Sequence, residues 1–489
     1  MMRAGTSRRH GRWLVGPCAL IMSAAALTQM LPAADPALRG DAPVDANRPY
    51  GQELQTSAAV NLVLAVAGSL AVSTSTESLA AWDPRIAGIL GGAAFPGVAT
   101  VAIADLQATL FDPRAFAGYP YAWRDAPVFS APPGIAADLK LRGLSMVARA
   151  NGHALDWGID GMRATSTALD EAGLLHAGTG EREGLARMAT FLDDRRGAGR
   201  VALLSTALSF RPTTNALSPR GAAPGRPGVS ALDSIAQHFV PEQQRDELRR
   251  MACRFQDPGD PAFCARLPPA TGPVSAFGSQ FGAASSASGN YTSGYNLNMI
   301  ETASLLRYLR EAKQHADLVA LAVHGVLPGR MPPEAAPTPA LVQFAHAAVD
   351  AGADLVMVTG GTEIGPIEIY QRDAGAPRPI FYGMGYLYWS AAAAPRAAAA
   401  HLDSIIVRSN VTGSTMTVDI YPVNLRAAAG EPAGSPRLAE PQLARGILQR
   451  LQRLSATFGT DIHIDNYGDT LRGRITVAVN PAQGPGDLK

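Results

Sequence analysis

Apolar runs of strand length alternate with amphipathic segments along most of this chain. Most of the runs end in glycine or a polar side chain, as parallel strands covered on both faces do. They lie at residues 59–70, 98–107, 144–148, 200–208, 317–325, 354–361 and 378–385. Repeated alternation of this kind predicts a layered α/β domain.

The amphipathic segments between these runs predict helices. Residues 158–173 place Ile159, Met162 and Leu169 on one face and end at Gly173, a common residue just past a helix. Three further segments follow the same pattern, at 298–314, at 340–352 and from Pro441 onward.

Residues 209–290 interrupt the alternation. They are rich in Pro, Gly and Ser and contain one segment of helical pattern, 230–255, so we interpret them as an insertion rather than a separate domain. Farther on, residues 404–423 predict two strands around a glycine-containing turn, and residues 461–479 predict a closing hairpin.

Functional groups in layered α/β folds collect at the carboxyl ends of the strands. In this chain those ends carry one set of polar side chains: Ser69, Asp105, Gln107, Asn151, His153, Asp156, His324, Thr359, Thr362 and Glu363. We expect them to form one polar edge built from distant parts of the sequence.

The segment ARANGHALDWG, residues 148–158, is the most informative of these strand ends. His153, with Asn151 and Asp156 beside it, has the chemistry of a general acid, a general base or an oxyanion stabiliser. The alternative for His153 is a structural histidine bonded to Asp156 or to the backbone. For Asp156 we favour a cap of the following helix.

Composition and charge exclude some classes of protein. The chain has 489 residues, of which 47% are hydrophobic and 17% charged, and this is too apolar for wholesale disorder. A formal net charge of +1 gives no electrostatic basis for binding nucleic acid. No nucleotide-binding loop, Gly-x-Ser-x-Gly motif or paired zinc-type cysteines occur.

The N-terminus has the pattern of a secretory signal. A basic start is followed by an apolar stretch at 13–31 and by small residues. An uncleaved membrane anchor is the alternative, and it would give the protein its membrane contact. We therefore predict a signal peptide at 1–33, a linker at 34–58, an α/β domain at 59–425 and a helix-and-hairpin extension at 426–489.

Two cysteines remain once the signal is removed. Cys253 and Cys264 flank a short loop that contains Pro and Gly, which in an exported protein indicates a local disulfide. Two unpaired thiols are the alternative.

Several motifs occur together in a recognisable order. They are ARANGHALDWG, ADLVALAVHG (316–325), AVDAGADLVMVTGG (348–361), PIEIY (366–370), RPIFYGMGYLYW (378–389) and GILQRLQRLSATFGT (446–460). In this order they resemble the CapA-like family of poly-γ-glutamate capsule proteins, over roughly residues 60–460. The resemblance implies an α/β sandwich like that of the calcineurin-type metallophosphoesterases, whose site holds two metal ions.

The residues expected to hold metal depart from the family pattern. Where the family has Gly-Asp, this chain has Gly68-Ser69, and where the family has Asn-Leu-Glu, this chain has Asp105-Leu106-Gln107. The asparagine that precedes the family's histidine is replaced by Gly152. Its G-H-x-P-H element is TGGTEIG, with Thr359 and Thr362 in place of histidines. The resemblance leaves His324 and Asp105 as metal ligands, with Glu363 a substitute, and places His153 beside the reacting oxyanion.

These departures predict a two-metal site that is lost or rebuilt. We expect an exported protein, periplasmic or extracellular, that takes part in synthesis, export or binding of an envelope polymer of the poly-γ-glutamate type. Its partners would be that anionic polymer or other envelope proteins. The alternative is a hydrolase of phosphoesters or polyglutamyl amides that uses a reduced site with Mn, Zn or Fe.

Overall fold

The structure is a computed structural model that describes residues 62–80, 82–92, 98–121, 128–194, 199–208, 210–211, 213–256, 259–283, 292–325, 336–372, 375–390, 402–412, 415–426 and 434–479. The predicted signal peptide and linker lie outside these residues. None of the helices in the described ranges is long and apolar enough to span a membrane.

The strands and helices alternate much as the hydrophobic pattern predicts. The strands are β1 (Leu62–Ala71), β2 (Ala99–Gln107), β3 (Thr109–Leu110), β4 (Ser130–Ala131), β5 (Met146–Ala148), β6 (Leu175–Ala177), β7 (Thr179–Gly180), β8 (Thr190–Asp193), β9 (Arg200–Ala207), β10 (Gly228–Val229), β11 (Ser234–Val240), β12 (Val274–Ala276), β13 (Ser279–Ala283), β14 (Thr292–Leu297), β15 (Leu318–His324), β16 (Leu355–Thr359), β17 (Ile367–Tyr370), β18 (Arg378–Phe381), β19 (Tyr386–Trp389), β20 (Asp403–Thr412), β21 (Thr415–Asn424), β22 (Arg437–Leu438), β23 (His463–Tyr467) and β24 (Thr470–Ala478). The helices are α1 (Pro84–Gly91), α2 (Gly134–Leu141), α3 (Gly158–Ala172), α4 (Glu183–Arg187), α5 (Glu242–Gln256), α6 (Pro261–Ala265), α7 (Met299–His315), α8 (Pro339–Asp350) and α9 (Pro441–Ser455).

Two large sheets contain most of the strands. One has ten strands, in the order β23-β24-β21-β20-β1-β2-β5-β6, with β19 beside β1 and β22 beside β21. The other has six strands, in the order β17-β18-β16-β15-β9-β8. The strands β1, β2 and β5 run parallel, and so do β9, β15 and β16, so each sheet brings several carboxyl ends to one edge.

Apolar cores cover both faces of each sheet. One core contains Leu64 and Ile103 from the ten-stranded sheet together with Leu203 and Met357 from the six-stranded sheet, so the two sheets pack against each other. The outer face of the larger sheet packs on α1, α2 and α3. The outer face of the smaller sheet packs on α7 and α8. The predicted α/β fold is confirmed, and burial on both faces explains the continuous apolar runs.

Individual elements follow from local sequence signals. The predicted helix at 158–173 is α3, and it ends at Gly173 in the left-handed conformation, where the Gly173 amide bonds back to the helix. The predicted hairpin at 461–479 is formed by β23 and β24, which extend the ten-stranded sheet.

The segment 230–255 differs from its prediction as a single helix. Its first part is β11, which pairs with β13 and β14, and only the part after Pro241 is helical, as α5. Pro241 breaks the helical continuity, and hydrogen bonds from two neighbouring strands favour an extended backbone. A disulfide joins Cys253 of α5 to Cys264 of α6, with 5.6 Å between the Cα atoms.

Candidate functional site

The carboxyl ends of strands from both large sheets meet around one aspartate, Asp105. Parallel pairing of β1 with β2 sets Ser69 opposite Asp105, and pairing of β15 with β16 sets His324 opposite Thr359. Asp105, Ser69 and Asn151 are fully buried, and Thr359 and His324 are nearly so. The side chains of these five residues therefore lie together at one polar edge, as we expect from the sequence.

The Asp105 carboxylate accepts five side-chain hydrogen bonds. Its Oδ2 accepts from Ser69 Oγ at 3.0 Å, Gln107 Nε2 at 3.1 Å, His324 Nδ1 at 2.9 Å and Thr359 Oγ1 at 3.0 Å, and its Oδ1 accepts from Asn151 Nδ2 at 2.9 Å. We name these six residues the Asp105 network. A carboxylate has about four lone-pair positions, so this one is fully occupied by protein donors.

Close backbone approach lets the network form. A Cβ on Gly68 would lie 2.1 Å from the carbonyl oxygen of Gly385, so only glycine fits there. The amide of Gly360 donates to Ser69 Oγ at 3.2 Å, and a Cβ on Gly360 would lie 2.7 Å from the His324 ring. Gly360 also has a φ of +88°, a conformation that favours glycine. The two glycines therefore place Ser69 and His324 against Asp105.

The surroundings of Asp105 favour its ionised form. Burial by itself would raise the pKa of this carboxyl, but attraction by His324 and hydrogen bonds from His324, Gln107 and Asn151 outweigh burial and lower the pKa below its ordinary value of 3.8. The negative charge also affects a neighbour. Burial, with a smaller contribution from the charge on Asp105, raises the pKa of Tyr386 to about 12.

The donor set around Asp105 does not fit a divalent cation. Both carboxylate oxygens face hydrogen-bond donors, and Ser69 and Thr359 use their hydroxyl protons on the same carboxylate. Within the described ranges, no three or more His, Cys, Asp or Glu side chains come close enough together to hold a metal ion. Stable divalent sites in proteins have three or four such ligands.

Residues 150–156, which we name the ANGHALD loop, form a second cluster beside the network. His153 Nδ1 lies 2.9 Å from Asp156 Oδ2, and the same oxygen accepts from the backbone amide of Phe129 at 2.9 Å. Asp156 Oδ1 lies 3.0 Å from a guanidinium nitrogen of Arg211. Asn151 joins the clusters, because its Oδ1 accepts from the His153 amide at 3.0 Å while its Nδ2 donates to Asp105.

The favoured role of Asp156 as a helix cap is wrong. The N-cap of α3 is Trp157, and that cap position has no side-chain hydrogen bond to the helix. Asp156 is fully buried, and its oxygens face His153, Phe129 and Arg211 instead. Its position one residue before the N-cap leaves its side chain free to orient His153.

His153 is the accessible member of this region. Its side chain is 18% exposed and packs edge-on against the Phe129 ring, with 4.5 Å between ring centroids. Arg211, which the sequence did not single out, donates from Nε to the Gly152 carbonyl at 2.9 Å as well as pairing with Asp156. Arg211 lies in the Pro- and Gly-rich insertion, and no spacing in the sequence relates it to the loop.

Glu363 and Thr362 lie in the loop after β16. The Glu363 carboxylate accepts a hydrogen bond from Arg450 of α9 at 2.6 Å, and this ion pair directs it to α9. Among the described residues, no hydrogen bond joins Glu363 to the Asp105 network. Thr362 is half-buried, and no hydrogen bond of its side chain joins it to the network among the described residues.

Fold and site together define an α/β protein of two facing sheets with a buried polar network where their strands end. The sequence profile of the bacterial capsule synthesis protein family PGA_cap matches residues 97–389. That range includes every residue of the two clusters except Ser69, and the chain belongs to this family.

Two relatives extend the likeness over most of the chain. They are the uncharacterized proteins y4sH and y4uA of Sinorhizobium fredii (strain NBRC 101917 / NGR234). Each is 32% identical over 419 residues, which cover 76% of this chain and 86% of the relative.

Proposed function

We propose that this protein acts in the synthesis, export or retention of an anionic envelope polymer of the poly-γ-glutamate type, and that it binds the polymer without a two-metal centre. Membership of the capsule synthesis family supports the process. Both oxygens of the Asp105 carboxylate already accept hydrogen bonds from protein side chains, and this observation supports a site without metal. The two facing sheets with helices on their outer faces are consistent with a calcineurin-like sandwich.

Export to the periplasm or the cell exterior is part of the proposal. The N-terminal pattern of basic, apolar and small residues supports a secretory signal. The disulfide between Cys253 and Cys264 also supports an oxidising compartment, because such bonds rarely persist in the cytosol.

His153 is the proposed contact for the polymer. It is more exposed than the members of the Asp105 network, and its Nδ1 is held by Asp156, so its Nε2 has a fixed direction. A protonated imidazole donates a charge-assisted hydrogen bond to a carboxylate, which is the repeating group of polyglutamate.

The proposal is tested by metal content and polymer binding on the same protein. We expect elemental analysis to find no stoichiometric metal, and titration calorimetry with poly-γ-glutamate to show binding that weakens about tenfold in His153→Ala. His463→Ala, at an exposed histidine in β23, is the matched control and should bind like the wild type. Stoichiometric metal that disappears in His324→Ala would contradict the metal-free site.

A hydrolase is the second candidate, and one observation favours it. The oriented and partly exposed His153 has the geometry of a general acid or base. Hydrolysis of a phosphoester or of polyglutamate that requires added Mn, Zn or Fe and is lost in His153→Gln would favour this candidate. Binding without turnover, with or without added metal, would favour the first.

A further inference from the structure

One buried tyrosine beside the site has a hydroxyl without a hydrogen-bond partner among the described residues. It is Tyr386 of β19, which is 8% exposed. Two other buried tyrosines differ from it: the Tyr382 hydroxyl donates to Glu368 Oε2 at 2.7 Å, and the Tyr388 hydroxyl bonds to the side chain of Ser390. A buried tyrosine normally has such a partner, because an unpaired hydroxyl costs free energy that phenylalanine would avoid. The Tyr386 hydroxyl therefore suits an acceptor that comes from outside the described residues.

The polar end of Tyr386 remains accessible. Several polar side-chain atoms of the described residues are both enclosed and without a hydrogen bond, among them Trp389 Nε1, but the Tyr386 hydroxyl is not one of them. A hydroxyl that is neither hydrogen-bonded nor enclosed is in contact with solvent. The accessible part of Tyr386 therefore includes its hydroxyl, and a ligand can reach this hydroxyl without movement of the protein.

Strand pairing places Tyr386 beside the Asp105 network. Ser69 of β1 lies opposite Tyr386 on one side and opposite Asp105 on the other. The Asp105 carboxylate accepts from other side chains and not from Tyr386, but its charge still acts on the phenol. Burial and this charge raise the pKa of Tyr386 to about 12, so the phenol keeps its proton at neutral pH and acts as a donor.

A series of ring contacts connects Tyr386 to His153. The Tyr386 ring packs edge-on against Trp389, with 4.6 Å between ring centroids. The Phe129 ring lies 6.0 Å from that of Trp389 and 4.5 Å from that of His153. Phe129 and Trp389 are buried, so they support the two end residues, both of which keep an accessible part. A polymer of a few repeats can therefore contact Tyr386 and His153 together.

We propose that Tyr386 is a second contact for the polymer, and that its hydroxyl donates a hydrogen bond to an amide carbonyl of the γ-glutamyl backbone while His153 binds a carboxylate. The inference rests on the proposed function and deepens it, because it divides recognition between the uncharged and the charged groups of the repeat. The negative charge of Asp105 disfavours a carboxylate beside Tyr386 but not a neutral carbonyl. An anionic polymer without amide groups would therefore lack this contact.

Two ligands of equal length separate the two contacts. One is the γ-glutamyl pentapeptide, and the other is the same peptide with every carboxyl group as a methyl ester, which keeps the amides and removes the negative charges. In titration calorimetry we expect Tyr386→Phe to weaken the binding of both ligands about fivefold, as for the loss of one neutral hydrogen bond. His153→Ala should weaken the binding of the free acid only. Tyr388→Phe, on the same strand, is the matched control and should bind both ligands like the wild type.

Thermal unfolding of the same variants separates binding from folding. The Tm of Tyr386→Phe should equal or exceed that of the wild type, whereas Tyr388→Phe should have a lower Tm because it loses the bond to Ser390. A Tm of Tyr386→Phe as low as that of Tyr388→Phe would overturn the inference, because the hydroxyl would then have a partner within the protein.

The binding data distinguish failure of this inference from failure of the proposed function. If Tyr386→Phe binds both ligands like the wild type while His153→Ala still weakens the free acid, the contact at Tyr386 is overturned and the proposed function stands. If Tyr386→Phe weakens the free acid alone, the assignment to an amide carbonyl is overturned. If the wild type binds neither ligand, the proposed function fails and this inference fails with it.

Discussion

Asp105 and His324 lie 219 positions apart in the sequence, yet Asp105 Oδ2 and His324 Nδ1 are 2.9 Å apart at the boundary between the two sheets. With the bond from Thr359, this contact joins the end of β2 in the ten-stranded sheet to the ends of β15 and β16 in the six-stranded sheet. A buried carboxylate therefore joins two halves of the fold.

Asp105→Asn should lower the free energy of unfolding by about 3 kcal/mol, because a buried charge-assisted network loses its common acceptor. The amide keeps one acceptor oxygen but turns its NH2 group toward other donors. Urea denaturation at neutral pH measures the change. Asp160→Asn, at an aspartate whose side chain is 71% exposed, is the control and should change stability by less than about 0.5 kcal/mol. A similar small effect for Asp105→Asn would show that the network adds no stability.

The stabilisation by Asp105 should depend on pH in a defined direction. Its pKa is below 3.8 in the native protein, so its contribution is fully present above the unfolded value and is lost as the pH falls through the native value. The difference in unfolding free energy between wild type and Asp105→Asn should therefore shrink below about pH 3.8. Urea titrations of both proteins from pH 7 to pH 3 measure it. A difference that grows with acidity would contradict this assignment.

Gly360→Ala should displace the His324 ring. The new Cβ would lie 2.7 Å from that ring, and the residue would keep a positive φ. Gly459→Ala is a matched control, since Gly459 has a φ of +68° but open space around a Cβ. We expect a loss of about 1–2 kcal/mol at Gly459 from backbone strain alone and a clearly larger loss at Gly360, measured by thermal unfolding. Equal losses would mean that the contact with His324 relaxes freely.

Removal of the disulfide should destabilise the protein by about 3 kcal/mol through the greater freedom of the unfolded chain. The variant combines Cys253→Ser with Cys264→Ser. Reductant provides the internal control, because it should lower the Tm of the wild type to that of the variant and leave the variant unchanged. If reductant leaves the Tm of the wild type unchanged and that Tm already equals the Tm of the variant, the two thiols are unpaired in solution.

Arg149 presents a buried charge whose removal should be tolerated. The residue is 1% exposed, its guanidinium donates to Ser166 Oγ and the Met162 carbonyl, and burial lowers its pKa to about 9. Because the native pKa is depressed, the charge costs stability below about pH 9, and that cost shrinks as the pH rises further.

We therefore expect Arg149→Met to leave the free energy of unfolding at pH 7 unchanged or to raise it by about 1 kcal/mol, because Ser166 keeps its own bond to Met162. Arg149→Ala should lower it by about 2–4 kcal/mol through the cavity that it leaves. Urea denaturation compares the two. Equal losses in both variants would assign the stabilising role to the charge.

Sequence reasoning reached the fold and the members of the Asp105 network by one physical rule. Buried parallel strands are apolar along their length and polar at their carboxyl ends, so the positions of Ser69, Asp105, His324 and Thr359 followed from where the apolar runs stop. The rule predicts a shared edge. It cannot predict that four donors would turn toward a single oxygen, since that depends on rotamers and on close approaches such as the one at Gly360.

Other features depend on contacts that no local pattern encodes. Residues 234–240 belong to a segment of helical periodicity, but pairing with two partner strands places them in a sheet. Arg211 reaches Asp156 only because the insertion folds back over the ANGHALD loop. Glu363 is a carboxylate that follows a strand end, as a metal ligand would, but its carboxylate pairs with Arg450 on α9.

The position of β1 sets the order in which the molecule can be completed. This first strand lies between β2, which follows it closely in the chain, and β20, which begins only at Asp403. The growing chain must therefore keep one edge of this strand, which is apolar except for Gly68 and Ser69, unpaired until most of the sequence has been synthesised. Pairing between strands so distant in sequence slows folding, and until it occurs the unpaired edge of β1 can pair with other chains. We therefore expect Leu62–Ala71 to be among the last segments of the larger sheet to gain both of its neighbours.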